Sequence, residues 1–236
     1  MTQAQTGPDG PIKKEPDPRK LAWFGEVARR RLLAHPSVRR IDTDLAEVFQ
    51  VPGFLKRRDC REIVQVINSE AQPSSLFEGT YRDGFRTSCT HHFDTKDPLT
   101  RSIDLYVSDL LGIDDNYSER IQGQRYQAGQ EFKHHYDYLH VGERYWADEA
   151  ERGGQRTWTA MICLHAPREG GETDFPKLGL KIAPEVGMLT LWNNMTPDGR
   201  PNHNTLHAGL PVVRGIKHII TKWYREDPWR LLNNDF

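Results

Sequence analysis

The sequence predicts a mainly β protein with supporting helices, built as an antiparallel sandwich or barrel. Residues 156–166, 187–193 and 216–224 are rich in β-branched and aromatic residues and are separated by turns containing Gly and Pro, as is typical of strands. Helical periodicity is concentrated before residue 75, with one later helical stretch at residues 99–112. This order predicts that the helices pack on one side of the β structure.

Two helices and a short strand are predicted in the N-terminal part. Residues 21–33 carry apolar side chains at three- and four-residue spacing, which predicts an amphipathic helix. A second helix is predicted from Asp59, as its N-cap, to about Ser69. Residues 48–54, between the two helices, are predicted to form a strand.

The length of 236 residues suits one domain. Residues 1–18 are rich in Pro, Gly and charge, so they cannot bury enough apolar surface to offset the entropy lost on ordering. We expect a flexible tail there. The remainder, residues 19–236, is expected to form a single domain in which residues 19–75 give helical support to a β core at residues 76–236.

Composition restricts the partners and the location. The chain has 32 Lys and Arg against 33 Asp and Glu, so its net charge of −1 gives no reason to expect nucleic-acid or membrane-surface binding. The three cysteines, Cys60, Cys89 and Cys163, show no metal-type or disulfide spacing. No signal-peptide core and no run of about 18 apolar residues is found, and we expect a cytoplasmic protein.

The segment EFKHHYDYLH, residues 131–140, contains His135 and Asp137 two positions apart. On a strand such side chains share one face, with Cα atoms roughly 6–7 Å apart, so they can converge on one ion while His134 and Tyr136 face away. A His and an Asp at this spacing also occur by chance. This pair alone therefore does not favour a metal site.

The C-terminal segment adds another histidine and a lysine that bear on this question. His207 ends a short β-like stretch, and Lys217 opens the next strand. A lysine on an inward, partly apolar face is costly unless it meets an anion. Two histidines and one carboxylate form the facial triad of non-haem Fe(II), which leaves positions open for a bidentate acid and dioxygen. Five side chains share the face of this strand: Lys217, Ile219, Thr221, Trp223 and Arg225.

With these residues the chain resembles the prolyl 4-hydroxylase-like group of Fe(II)- and 2-oxoglutarate-dependent dioxygenases. The resemblance implies a double-stranded β-helix core, of the jelly-roll or cupin-like type, and an oxidoreductase using Fe(2+), 2-oxoglutarate and O2, with ascorbate as reductant. The implied reaction hydroxylates prolyl residues of a peptide or protein and releases succinate and CO2. Four blocks within roughly residues 80–228 carry the resemblance: RYQAGQEFKHHYD, GGQRTWTAMICL with EGGETDFP, GMLTLWNN, and DGRPNHNTLHAGLPVVRGIKHIITKWYRE.

The resemblance also implies roles for individual residues. His135, Asp137 and His207 would be the catalytic iron ligands, Lys217 would pair with the distal carboxylate of 2-oxoglutarate, and Tyr126 would contact the same cosubstrate.

Three further residues bear on the cosubstrate. Thr159 and Thr190 are expected to line its pocket, although threonine is common in strands. Cys163 stands where many members of the family carry a tyrosine that contacts 2-oxoglutarate, so a wider or water-filled pocket is expected. We do not expect Cys163 to act as a nucleophile, because a cysteine on a β-strand is usually a small core hydrophobe.

The substrate contacts implied by the resemblance are Arg156, Trp223 and Arg225, although Arg225 also fits a solvated strand end. Residues 88–97 and 138–156 are predicted lids, and Tyr145 and Trp146 of the second lid are further candidate contacts. Aromatic surfaces of this kind suit a proline-rich segment, whose conformational entropy is already low.

Two alternatives stay open. The same cofactor chemistry could act on a free amino acid or another small molecule, but a long lid on each side of the mouth favours a peptide. A non-catalytic metal- or peptide-binding barrel is the other alternative. The complete triad and Lys217 argue against it, because a pure binder has no reason to keep a buried lysine for a missing acid.

Overall fold

The computed structural model describes residues 14–75 and 84–235. The helices are α1 (Pro18–Ala34), α2 (Arg57–Glu70), α3 (Pro98–Leu111), α4 (Trp146–Glu151) and α5 (Trp229–Leu232). The strands are β1 (Arg39–Arg40), β2 (Val48–Val51), β3 (Gln72–Pro73), β4 (Cys89–His92), β5 (Gln122–Tyr126), β6 (Phe132–His135), β7 (Arg156–His165), β8 (Glu169–Gly170), β9 (Thr173–Phe175), β10 (Leu180–Ile182), β11 (Leu189–Asn193), β12 (His207–Gly209), β13 (Val212–Arg214) and β14 (Lys217–Arg225).

Two antiparallel sheets form the double-stranded β-helix core, as predicted. The larger sheet has the order β1-β2-β11-β7-β14-β5-β4-β3, and the smaller sheet has the order β10-β9-β12-β6. A separate short pair joins β13 to β8. The central strands β7 and β14 carry side chains on both faces that are almost all buried, so their sequences lack the alternation of a half-exposed strand.

Helices cover the outer face of the larger sheet. On β7, Trp158 and Ile162 point into a core that also contains Phe24 of α1, Ile63 of α2 and Val107 of α3. Every second residue of β7, at the odd-numbered positions, therefore faces the smaller sheet, because side chains alternate along a strand. The predicted packing of helices on one side is confirmed, and the inner face is left for a site.

The predicted helices are present, with shifted ends. Helix α1 begins at Pro18, and its N-cap is Asp17, whose carboxylate accepts hydrogen bonds from backbone N–H groups of the first turn. Helix α2 has Lys56 at the N-cap, so the prediction of Asp59 as N-cap is wrong. Asp59 lies in the first turn, where an acidic side chain complements the helix dipole. The N-cap and the first turn both favour aspartate, so its presence does not distinguish the two positions.

The N-terminal tail was predicted to extend to residue 18, but the residues from Lys14 onward already contact the folded domain. Residues 1–13 are outside the described part, but the residues just after them pack on the domain. Lys14 Nζ forms an ion pair with Asp227 at 2.7 Å, and the Lys14 carbonyl accepts a hydrogen bond from the indole of Trp146 at 3.0 Å. The backbone N–H of Asp17 donates to Glu226 at 2.6 Å. These contacts fix the chain before α1 against α4 and the end of β14.

One predicted lid is a strand. Residues 89–92, placed in the first lid, form β4, which pairs with β5 in the larger sheet. The segment 19–75 likewise gives more than helical support, because β2 pairs with β11 in that sheet. Across the described ranges, we found no helix with the length and apolar character needed to span a membrane.

Candidate metal centre

Three predicted ligands meet between the two sheets. His135 ends β6 and His207 begins β12, and the two residues are direct cross-strand partners in the smaller sheet. Asp137 follows His135 by two positions, and the ligand atoms of all three side chains lie within 4.8 Å of one another. The pairing register places the second histidine beside the first, since cross-strand partners have neighbouring side chains.

Backbone carbonyls orient both imidazole rings. His135 Nδ1 lies 2.7 Å from the carbonyl oxygen of Lys133, and His207 Nδ1 lies 2.9 Å from that of Thr205. With Nδ1–H donating to a carbonyl, the Nε2 lone pair of each ring is left to bind a metal. The two Nε2 atoms each lie 3.7 Å from a different carboxylate oxygen of Asp137. Two imidazole nitrogens and one carboxylate oxygen fit the donor set of non-haem iron.

Burial sets the protonation states that a metal requires. Burial, together with the nearby His207, lowers the pKa of His135 to about 3. Burial alone would raise the pKa of Asp137, but His207, His135 and Arg156 outweigh it and lower that pKa. At neutral pH the site therefore offers neutral imidazole at His135 and an ionised carboxylate.

Aromatic rings hold the two histidines in place. Phe132 stacks on His135 with ring centroids 3.6 Å apart, and Phe175 stacks on His207 at 5.3 Å. The Trp192 ring meets His207 edge-on at 5.0 Å. Contacts on more than one side leave the imidazoles little rotational freedom, which favours a preformed site.

An inner cavity extends from the triad to Lys217. Its lining includes His135, Asp137, His207, Tyr126 and Lys217. The lysine side chain is only 4% exposed, and burial lowers its pKa to about 8. Its Nζ lies 5.8 Å from the centre of the Tyr126 ring, and within residues 14–75 and 84–235 it forms no ion pair with a carboxylate. This end of the cavity therefore suits an anionic group.

A second cavity of about 260 Å³, called the outer cavity, shares His135 and Asp137 with the inner cavity. Arg156 lines it, makes a two-pronged contact with Glu119 at 2.6 and 2.8 Å, and stacks over the Trp223 ring at 4.2 Å. Polar side chains and five aromatic side chains line the cavity. The aromatic residues are Phe132, Tyr136, Tyr138, Tyr145 and Trp223.

Known proteins match this arrangement. The family model described as the 2OG-Fe(II) oxygenase superfamily matches residues 121–225, which contain the whole triad and Lys217. A solved structure of the viral collagen prolyl hydroxylase vCPH from Paramecium Bursaria Chlorella virus-1, in its 2OG complex, is 30% identical with a TM-score of 0.59. That match covers 75% of this chain and 95% of the viral chain.

The chain belongs to the 2OG-Fe(II) oxygenase superfamily. Within it, the chain is a prolyl 4-hydroxylase-like oxygenase. "Probable prolyl 4-hydroxylase 3" of Arabidopsis thaliana is 29% identical over 209 residues, covering 78% of this chain and 70% of that protein. The "Putative prolyl 4-hydroxylase" of Acanthamoeba polyphaga mimivirus is 28% identical over 191 residues, covering 80% and 78%.

In this oxygenase the two predicted threonines lie in different places. Thr159 is absent from the lining of the inner cavity, and its hydroxyl donates to Asp137 Oδ2 at 2.7 Å, so the structure does not support the predicted cosubstrate contact. Thr190 lines a separate small cavity together with Cys163 and Lys217. Burial raises the pKa of Cys163 to about 11, which agrees with a protonated thiol rather than a nucleophile.

Two predicted substrate contacts point elsewhere. Arg225 is 1% exposed and binds Glu119 at 2.9 Å and Glu149 at 2.8 Å, because a bulge between Trp223 and Arg225 interrupts the alternation of β14. Trp146 is 1% exposed and packs inside the domain, so it does not face the cavity. Both pack around α4, and neither lines the outer cavity. Arg156, Trp223 and Tyr145 line the outer cavity, and their contact with a substrate stays a prediction.

Sequence reasoning missed several residues of the site. Arg86 lines both cavities, where it donates to Thr90 Oγ1 at 2.9 Å and lies 5.0 Å from the centre of the Phe132 ring. Tyr136 was expected to face away but lines the outer cavity, because β6 ends at His135 and strand alternation ends with it. Glu119 was missed because nothing in its local sequence reveals two arginine partners distant along the chain.

Proposed function

We propose that this chain is an Fe(II)- and 2-oxoglutarate-dependent dioxygenase that hydroxylates prolyl residues in a peptide or protein. One observation carries the proposal: His135 and Asp137 line both cavities, so the metal centre lies where the two cavities meet. The inner cavity contains a buried lysine, and the outer cavity has five aromatic side chains in its wall. A cosubstrate and a substrate can therefore reach the same metal through different cavities.

The inner cavity is the proposed 2-oxoglutarate site. Lys217 would bind the distal carboxylate, which offsets the cost of keeping a charged lysine buried. Tyr126, its cross-strand partner on β5, forms the adjacent wall. The 2OG complex of the viral relative supports this assignment, because that chain has the same overall fold at 30% identity.

His135, Asp137 and His207 would hold iron, which with 2-oxoglutarate and dioxygen supplies the oxidation of a C–H bond and releases succinate and CO2. The protein groups orient the ligands, exclude water and keep the carboxylate of Asp137 ionised. Ascorbate is the proposed reductant that keeps the metal in the ferrous state. The cytoplasmic location remains a prediction.

The outer cavity is the proposed substrate site. Trp223, Tyr136 and Tyr145 offer ring faces of the kind on which proline-rich segments dock. Arg156 is fixed by Glu119 and Trp223, so its guanidinium is available at a defined position for a substrate carbonyl. The names of the relatives, which describe collagen prolyl hydroxylase and prolyl 4-hydroxylase, support proline as the target residue.

The test is mass spectrometry of proline-containing peptides incubated with the protein, Fe(II), ascorbate and 2-oxoglutarate, with succinate measured in parallel. The expected result is a gain of one oxygen on proline, coupled to succinate. Matched peptides with alanine in place of proline, and the Asp137→Ala protein, serve as controls.

Other outcomes separate the alternatives. Succinate without peptide oxidation would leave the cofactor assignment and direct the search to free amino acids or other small molecules. Binding of 2-oxoglutarate without succinate, across the panel of peptides, would support a non-catalytic barrel and overturn the proposal.

A further inference from the structure

A buried hydrogen-bond chain ends on one oxygen of Asp137. The Thr159 hydroxyl donates to Asp137 Oδ2 at 2.7 Å, and Asn194 Nδ2 donates to the Thr159 oxygen at 2.9 Å. Thr159 and Asn194 are fully buried, and Asp137 is 5% exposed. The three residues come from β7, from the residue after β11, and from the segment after β6. Their meeting is therefore a product of tertiary structure.

The donor and acceptor groups of these three side chains allow only one direction for the two hydrogen bonds. An amide nitrogen can only donate, so the Thr159 oxygen must accept from Asn194. The single hydroxyl hydrogen of Thr159 is then left for Asp137. Among the residues that the structure describes, the amide oxygen of Asn194 has no hydrogen-bond partner. The interaction with Thr159 is thus the one polar contact that this buried amide side chain makes there.

The contact also fixes the rotation of the carboxylate. Asp137 Oδ1 lies 3.7 Å from His135 Nε2, while Oδ2, which receives the Thr159 hydrogen bond, lies 3.7 Å from His207 Nε2. Rotation of the carboxylate away from this orientation would lengthen and weaken the hydrogen bond from Thr159.

We propose that Thr159, aimed by Asn194, is a positioning residue that fixes the orientation of the Asp137 carboxylate for metal binding. This inference rests on the proposed function of the site. Hydrogen bonds to ligands of this kind typically contribute about 10- to 100-fold to metal affinity.

The test is calorimetric titration of Mn²⁺, which reports metal binding without turnover, into variants of the full chain. Thr159→Val has nearly the same shape but lacks the hydroxyl, and we expect it to bind Mn²⁺ about 10- to 100-fold more weakly. Thr159→Ser restores the hydroxyl and should bind Mn²⁺ with an affinity close to that of the unmodified chain.

Thr157→Val is the matched control. Thr157 lies on the same strand, is equally buried, and donates to the carbonyl of Tyr224 at 3.2 Å instead of to a metal ligand. We expect this variant to lose thermal stability to the same degree as Thr159→Val while keeping its Mn²⁺ affinity. Equal losses of affinity in both valine variants would show a general packing effect and overturn the inference.

Asn194→Ala keeps the test decisive if Thr159→Val does not fold. This variant leaves the hydroxyl but removes what aims it, so we expect an intermediate loss of Mn²⁺ affinity. If the double variant Thr159→Val/Asn194→Ala folds, its loss of Mn²⁺ affinity should be smaller than the sum of the two single losses, because both substitutions act through the same hydrogen bond. Unchanged Mn²⁺ affinity in Thr159→Val, or in Asn194→Ala if only that variant folds, would overturn the inference. Failure of the unmodified chain to bind Mn²⁺ would instead overturn the proposed function.

Discussion

Replacing Lys217 by methionine should stabilise the protein and remove its response to 2-oxoglutarate. Lys217 is 4% exposed, and its charge is kept inside the inner cavity without a carboxylate partner in the described residues. Methionine fills a similar volume without a charge. The same side chain is the proposed anchor of the cosubstrate, so one substitution should change folding and binding in opposite directions.

The pKa of Lys217 gives the size of the folding effect. Burial lowers that pKa from 10.5 to about 8. At about 1.4 kcal/mol for each pH unit, holding the charged form costs roughly 3 kcal/mol. Imperfect packing of methionine removes part of this gain, so we expect a net stabilisation of roughly 1–3 kcal/mol at pH 7. The difference should be full below about pH 8 and disappear above pH 10.5, where the lysine is neutral in both states.

Thermal unfolding with and without 2-oxoglutarate and Mn²⁺ measures both effects. For a chain of this length, each kcal/mol shifts Tm by roughly 2–4 °C. The unmodified protein should gain about 2.7 kcal/mol at a ligand concentration 100 times Kd. Lys217→Met should start from a higher Tm and show almost no further shift, because losing one partner of a buried charged pair costs about 2–5 kcal/mol of binding.

Lys222→Met is the matched control. Lys222 lies on the same strand, is 3% exposed, and has a pKa of about 8 for the same reason of burial, but it pairs with Asp104 at 2.5 Å on the helical side. Lys222→Met leaves the buried carboxylate of Asp104 without this partner, so Tm should not rise as it does for Lys217→Met, and the shift with 2-oxoglutarate should stay intact. A Lys217→Met protein that is less stable than the unmodified chain and still responds to 2-oxoglutarate would refute both parts of the reasoning.

Four further outcomes are expected. Asp137→Ala should abolish Mn²⁺ binding and proline hydroxylation, measured by calorimetry and mass spectrometry; normal turnover would contradict its assignment as a ligand. Arg156→Lys loses the two-pronged contact with Glu119. Steady-state kinetics should then show a KM for the peptide raised roughly tenfold, since a charged hydrogen bond contributes about 1.5–3 kcal/mol. The KM for 2-oxoglutarate should be unchanged. Trp146→Phe should cost about 1 kcal/mol in denaturant unfolding with no change in peptide KM, and a higher KM would restore the tryptophan as a substrate contact. Affinity for 2-oxoglutarate should be full below pH 8 and fall above it as Lys217 loses its proton, and a flat titration between pH 7 and 9.5 would contradict the role of its charge.

Local sequence indicated the His135–Asp137 pair and the buried Lys217 as candidates, and the family resemblance gave them their expected roles. His135 and Asp137 are two positions apart near the end of a strand, and Lys217 begins a strand whose alternation places Ile219 and Trp223 on its own face. Period-two alternation depends only on the backbone, so a strand can be recognised and its faces assigned from sequence. The helices packed on one side followed from the same periodicity arguments.

Only the tertiary structure decided what each inward side chain meets. His207 joins His135 through the register of β12 on β6, a pairing between residues far apart in the chain. Thr159 faces inward as predicted but reaches Asp137 instead of the cosubstrate cavity, while the bulge before Arg225 turns that residue toward Glu119 and Glu149. Alternation along a strand gives the direction of a side chain, whereas its partner depends on strand register, bulges and the packing of distant segments.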